Sequence, residues 1–210
     1  MKRVKIFTII ATLILSLLVG SVSARGRVDL STEWGISAGV SYPISNFDVG
    51  DSSASLSTKL GFSATAHMTL NIGKVFSIQP EVVYQYSKIN VSDSAADFQS
   101  EIKCNTLQMP ILFAARISSV RIFAGPVITI MDDPWYADRN GEKMMFGSVY
   151  PTFCYTVGIG VRLFNRLLID ARFTSRFNPT DNFLSYDASS KGYDIKSTIH
   201  HAQLKVGVLF

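Results

Sequence analysis

Polar and apolar residues alternate along most of this 210-residue chain. From 59 to 72, Leu60, Phe62, Ala64, Ala66, Met68, Leu70 and Ile72 share one parity. Lys59, Gly61, Ser63, Thr65, His67, Thr69 and Asn71 share the other. A period of two sends the two sets to opposite faces of a strand. The same pattern recurs over 34–42, 76–86, 106–116, 120–130, 153–163, 167–176 and 201–210, which predicts eight strands. Connections near Asn71–Lys74, at Ser118-Ser119 and at Asn165-Arg166 are short. Those over 43–58, 89–101, 131–150 and 178–197 are long and rich in Ser, Asp, Asn and Gly, as loops are. Pro80 and Pro126 fall inside strands, and each removes a ladder donor, so an irregularity is expected at both.

Alternation alone does not say which face is inside. Three features point to an outward apolar face. The stretch from Leu60 to Ile72 would rise roughly 33 Å when tilted, enough to cross an apolar band of about 25 Å. The polar parity is rich in Gly, Ser and Thr, where a water-facing surface would favour Lys and Glu. Tyr42, Tyr84, Tyr86, Phe153 and Tyr155 gather at one end of the strands, and Trp34, Phe76, Phe164 and Phe210 at the other, as two interfacial girdles would. An even strand count with short turns on one rim and long loops on the other completes the pattern. The predicted fold is all-β: an eight-stranded antiparallel up-and-down transmembrane β-barrel over 34–210, preceded by a short periplasmic segment, 25–33.

The first 24 residues read as a cleaved export signal. Lys2, Arg3 and Lys5 precede an apolar run from Ile6 to Val19, and Ser21-Val22-Ser23-Ala24 offers small residues for cleavage after Ala24. Fourteen positions are short for a spanning helix, which needs about 20. This segment changes the charge balance. The whole chain carries +4, but the part after Ala24 has 17 basic and 16 acidic residues, so no basic footprint for nucleic acid remains. The two cysteines, Cys104 and Cys154, exclude a disulfide scaffold. They are expected near the loop rim on strands separated by one other, roughly 10 Å apart. That is beyond disulfide reach, so two buried thiols are expected.

The run Leu107-Gln108-Met109-Pro110-Ile111-Leu112-Phe113, then Gly125-Pro126, Gly158-Ile159-Gly160-Val161, Ala171-Arg172-Phe173 and the final Val206-Gly207-Val208-Leu209-Phe210 resemble the outer membrane protein β-barrel domain family, often labelled PorT-like. The resemblance spans about 30–210. It implies an eight-stranded barrel in the outer membrane of a Gram-negative bacterium. It also implies that Phe210 is a terminal aromatic of the kind read by the barrel-assembly machinery. A secretion or gliding role belongs to particular members, and no residue here carries it over.

The predicted lumen holds Arg116, Arg121, Arg162, Arg172, Arg176 and Lys205 against Glu81 and Asp170. Eight strands leave an interior just filled by side chains, and enclosed charges need partners, so a salt-bridged plug is favoured over an anion-attracting pore. Asp170 is expected to pair with Arg162 or Arg121, and Glu81 with an arginine across the lumen such as Arg172. The long connections carry 12 of the acids. Solvated loops explain them better than a cation site, since Asp138-Arg139-Asn140-Gly141-Glu142 is only a fragment of a calcium loop. Trp135 and Tyr136 among these charges are either interaction anchors or belt residues, with the belt favoured. A Ser–His–acid group for lipid chemistry finds only Ser197 and His200 nearby, on opposite parity. No cofactor or metal is expected. The reading is a non-enzymatic outer-membrane barrel with a structural or surface-interaction role carried by four long loops. The alternatives are a small pore or secretion-associated component and, less favoured, a lipid-modifying barrel enzyme. Expected partners are outer-membrane lipid, the barrel-assembly machinery and an unidentified extracellular or periplasmic partner, with no nucleic acid.

Overall fold

The computed structural model describes residues 29–48, 54–93, 98–137, 143–145, 153–176, 180–185 and 192–210. The segment read as an export signal and the Asp138–Glu142 run lie outside them. Eight staves form the wall. They are β1 (Leu30–Asp48), β2 (Ala54–Thr58) continued by β3 (Gly61–Ile72), β4 (Phe76–Asp93), β5 (Phe98–Ile117), β6 (Val120–Ala137), β7 (Lys143–Met145) continued by β8 (Phe153–Leu163), β9 (Leu167–Arg176) continued by β10 (Thr180–Ser185), and β11 (Gly192–Leu209). Each stave pairs antiparallel with its sequence neighbour, and β1 pairs with β11 from Gly35↔Leu209 to Asp48↔Lys196. The last strand therefore meets the first, and the sheet closes into a ring.

The turns lie at the positions the sequence predicts. Gly73 adopts φ +65° between β3 and β4, and Ser118 adopts φ 57° between β5 and β6. Phe164 and Asn165 both have positive φ, the twist a two-residue hairpin requires. On the other rim the strands run well past their predicted ends. β4 reaches Asp93 and β5 begins at Phe98, so 89–93 and 98–101 are strand rather than loop. At the turn side β1 begins at Leu30, which brings Glu33 into the barrel rather than the periplasmic segment. The irregularities expected at Pro80 and Pro126 are gaps in the ladder rather than shifts of register: β3–β4 lacks the Met68 and Thr69 pairs, and β5–β6 lacks the Ile111 and Leu112 pairs. The shift falls between Leu107 and Gln108, which pair with Met131 and Thr129, so Ile130 is an extra residue on β6.

Side-chain direction follows the predicted parity. Ile36, Val40, Phe62, Val82, Phe113, Ile122, Ile159, Leu204 and Val206 are exposed on the outer wall. Ser63, Thr65, His67, Gln79, Glu81, Gln85, Arg172, Gln203 and Lys205 are buried inside. The outward apolar run on β4, Phe76 to Tyr86, rises about 28 Å when tilted by roughly 40°, matching an apolar band of about 25 Å.

Above the Tyr86↔Asn105 pair the assignment inverts. Lys88, Asn90 and Ser92 now face out on β4, and Ile89 and Val91 are buried within. On β5, Ile102 and Cys104 are buried while Glu101 and Lys103 face out. The extra residue Ile130 performs the matching flip on β6. Below it Arg121, Phe123 and Val127 point in; above it Pro134 and Tyr136 do.

Candidate functional site

The centre of the lumen is a closed charge network. Asp170 on β9 accepts from Arg121 on β6, with Nη2 at 2.6 Å and Nε at 3.2 Å, and from Arg172 Nη2 at 3.0 Å. Glu81 on β4 accepts from Arg172 Nη1 at 2.7 Å and from Gln79 Nε2 at 2.7 Å. Arg121 Nη1 donates to Gln79 Oε1, so one amide joins both ion pairs. Lys205 Nζ donates to Thr65 at 2.9 Å and stands 4.0 Å from Glu81. Glu81 is fully enclosed, and Asp170 and Arg172 nearly so. Such charges are tolerated only when each is paired and hydrogen-bonded, which is the arrangement seen.

Two details of the wall make room for this. Gly160 lies directly beneath the Arg121–Asp170 pair, and any Cβ there would collide with the Asp170 carboxylate and the Arg121 Nε. Phe123 points inward, and the guanidinium carbons of Arg121 and Arg172 lie 5.1 and 5.2 Å from its ring centroid. The ring thereby backs both cations with its negative face. The inner wall beside them is apolar, formed by Leu112, Ala114 and Phe123.

The expected pairing is met at Asp170–Arg121 and Glu81–Arg172. Arg162 differs. It reaches Glu33 at 2.6 and 3.0 Å near the turns, not Asp170, because β1 carries Glu33 onto the inner face. Asn71 donates to the same carboxylate, and Arg116 lines the same small cavity of about 20 Å³. Arg176 is buried beyond the network, towards the long connections. Sequence reasoning missed Glu33 because the alternation was read only from Trp34 onward. It missed Phe123 because an aromatic on the polar parity breaks the rule used to find the lumen. Higher up, Gln203 donates to Gln85 at 2.9 Å, and Ser41 lies 3.2 Å from His201.

Trp135 and Tyr136 part company. Tyr136 is 1% exposed inside the extension, so it is neither anchor nor belt; the extra residue on β6 turned it inward. Trp135 faces out between two lysines, with Lys103 Nζ 4.7 Å and Lys143 Nζ 4.9 Å from its ring centroid. Cys104 and Cys154 are buried thiols with no disulfide between them. Their offset is larger than expected: Cys104 pairs with Pro134 and Cys154 with Val127, seven residues apart on β6, roughly 23 Å of strand. His200 Nδ1 lies 2.7 Å from the Ser175 Oγ, while the Ser197 side chain lies outside the described ones. Ser175 is 3% exposed, and His200 has no ion pair with a carboxylate among the described residues. No group of three metal-ligating side chains occurs among the described residues either.

The model of the family described as "Outer membrane protein beta-barrel domain" matches residues 23–182. The chain belongs to this family. It is a bacterial outer-membrane barrel. Among solved structures it is similar to the outer membrane protein AlkL, determined in lipid bilayers, at 13% identity over 89% of this chain and 94% of that one, with a TM-score of 0.53. Ail, the attachment invasion locus protein of Yersinia pestis, matches at 13% identity over 86% and 99%, TM-score 0.47. OprG of Pseudomonas aeruginosa matches at 8% over 86% and 96%, TM-score 0.49. These likenesses concern the fold alone. No curated protein matches the sequence.

Proposed function

We propose that this barrel is a non-conducting, non-enzymatic membrane platform with a structural or surface-interaction role, presenting its long connections on a rigid stem. The observation that supports this most is the lumen. Gln79 ties Arg121–Asp170 and Arg172–Glu81 into one network, and the space around it is filled by Phe123, Leu112 and Lys205. The excess of lumenal cations that would favour an anion pore shrinks once Glu33 and Asp132 are counted on the inner face. The pairing Thr106↔Asp132 sets that acid beside the buried Thr106. Against a lipid enzyme stands the burial of Ser175, which keeps the hydroxyl paired with His200 from any scissile bond. The exposed ring of Phe210 remains the residue offered to the barrel-assembly machinery; outer-membrane lipid and an extracellular or periplasmic partner complete the set.

Conductance tests this reading. Purified barrel reconstituted in planar bilayers should give no stable steps in molar KCl, whereas Glu81→Ala/Asp170→Ala should raise leak by freeing the plug. Anion-selective steps from the unaltered protein would overturn the platform reading in favour of the pore.

A further inference from the structure

The outer wall just above the Tyr86↔Asn105 level carries a row of cations that the lumen does not explain. Lys88 and Lys103 are direct cross-strand partners, and Lys103 in turn pairs with Trp135. Lys143 stands beyond on β7, where Ala137↔Lys143 and Trp135↔Met145 put it on the same face. Lys59 joins at the other end, its backbone N–H donating to the Lys88 carbonyl at 2.9 Å. Among the described residues the face holds two carboxylates, Glu101 and Asp133. Glu101 is taken by Lys59 at 3.0 Å and Lys88 at 2.8 Å. Lys103 and Lys143 have no ion pair within 4.0 Å among the described residues. They crowd one indole instead.

Like charges set opposite each other in a sheet repel, and two ammoniums on one ring repel further. An anion placed between them would relieve both. Position supplies the source. Lys88, Lys103 and Trp135 sit two residues above Tyr86, where the outer wall changes from apolar to polar, and Lys143 two residues higher. In an outer-membrane barrel the short turns face the periplasm, so this edge meets the headgroups of the outer leaflet. We propose that Lys103, Lys143 and Trp135 form a docking site for the phosphate groups of an outer-leaflet glycolipid, with the acyl chains lying along the apolar wall below and Lys88 as a further contact. The proposal rests on the membrane location and is independent of the platform reading.

Trp34 and Trp135 are the two tryptophans, so Trp34→Phe leaves Trp135 as sole reporter. This variant, in detergent micelles, is titrated with phosphorylated lipid A and, separately, with the same glycolipid after removal of its phosphates. The phosphorylated form should change Trp135 emission, as the ammoniums leave the ring for the phosphate, and the dephosphorylated form should not. Lys103→Ala/Lys143→Ala should weaken the response roughly thirtyfold, each lysine near an anionic surface being worth about a factor of five. Lys103→Arg/Lys143→Arg should retain most of it. Unboiled gel mobility verifies that each variant is a closed barrel. Equal responses to both glycolipids, or a double alanine variant that binds normally, would overturn the proposal. So would an equal response to inorganic phosphate alone, which would mark a free-anion site.

Discussion

Two stretches of the same strands obey opposite rules. On β4, Phe76 to Tyr86 put apolar residues outside and Ser77, Gln79, Glu81 and Gln85 inside; from Ser87 to Val91 the pleat continues unbroken, yet Lys88 and Asn90 are outside and Ile89 and Val91 inside. β5 changes over at the same height, between Asn105 and Cys104. On β4 and β5 the backbone does not mark the boundary, as the extra Ile130 does on β6; the surroundings of the outer face do. Where lipid covers the wall, the outward apolar residues are already sheltered from water, and the interior holds an ion-pair network beside a small apolar patch. Where water covers it, the barrel must build its own apolar core, as any soluble sandwich does. The extension rises about 18 Å beyond the band if its tilt is unchanged, which lifts the long connections clear of the headgroups.

The largest loss of stability is expected in the lumen. Glu81→Ala leaves Lys205 enclosed without its carboxylate and Arg172 with Asp170 alone, and should cost about 3–5 kcal/mol in urea unfolding from lipid vesicles. Adding Arg172→Met should recover part of that, with a coupling of at least about 1 kcal/mol in the double-mutant cycle. Additive losses would mean a wet lumen. Next come two substitutions that read the inversion directly. Ile159→Lys, on the lipid-facing wall, should cost about 2–4 kcal/mol. The reverse exchange of character at Asn90→Ile, on the water-facing wall, should stay within about 0.5 kcal/mol. Equal costs would erase the distinction between the two regions.

Gly160→Ala probes how tightly the wall is fitted to the network. The methyl group must displace Asp170 or Arg121, and overpacking of this kind costs about 1–3 kcal/mol. Tm should fall with unboiled gel mobility preserved.

The smallest effect is electrostatic and belongs to the extension. The hydrogen bonds from Lys88 and Lys59 hold the Glu101 carboxyl below its ordinary value of 4.5. A depressed carboxyl contributes stability above its unfolded pKa and loses it as pH falls through the folded value. Wild type should therefore lose its advantage over Glu101→Gln only below about pH 4.5, and the Tm difference at neutral pH should be within about 2 °C, as for an exposed pair.

Most of the wall was legible because period two is a local signal: Leu60 to Ile72 states its own faces. The extension was not, although its alternation is equally plain. Lys88-Ile89-Asn90-Val91-Ser92 keeps the period and swaps which parity is apolar, so a search for outward apolar residues ends at Tyr86. β6 hides its upper half differently. Ile130 adds one residue, and the parity that marks Arg121 as inward then misplaces Tyr136. Within the network, sequence could name Glu81, Asp170 and their arginines but not the bridging role of Gln79. That role depends on how far each strand slides past its neighbour, and no single strand encodes it.

The seam between β1 and β11 carries a kinetic consequence. Gly35 pairs with Leu209, and the Phe210 N–H donates to the Trp34 carbonyl at 2.8 Å, so the first strand, already paired with β3 on one side, finds its second partner only among the last residues. All other ladders join sequence neighbours and are cheap to close; this one spans nearly the whole chain and carries the largest loop-closure entropy. Hairpins can therefore accumulate early, while ring closure comes last and all at once. Until then β1 presents a row of unpaired amides and carbonyls that any other strand can capture.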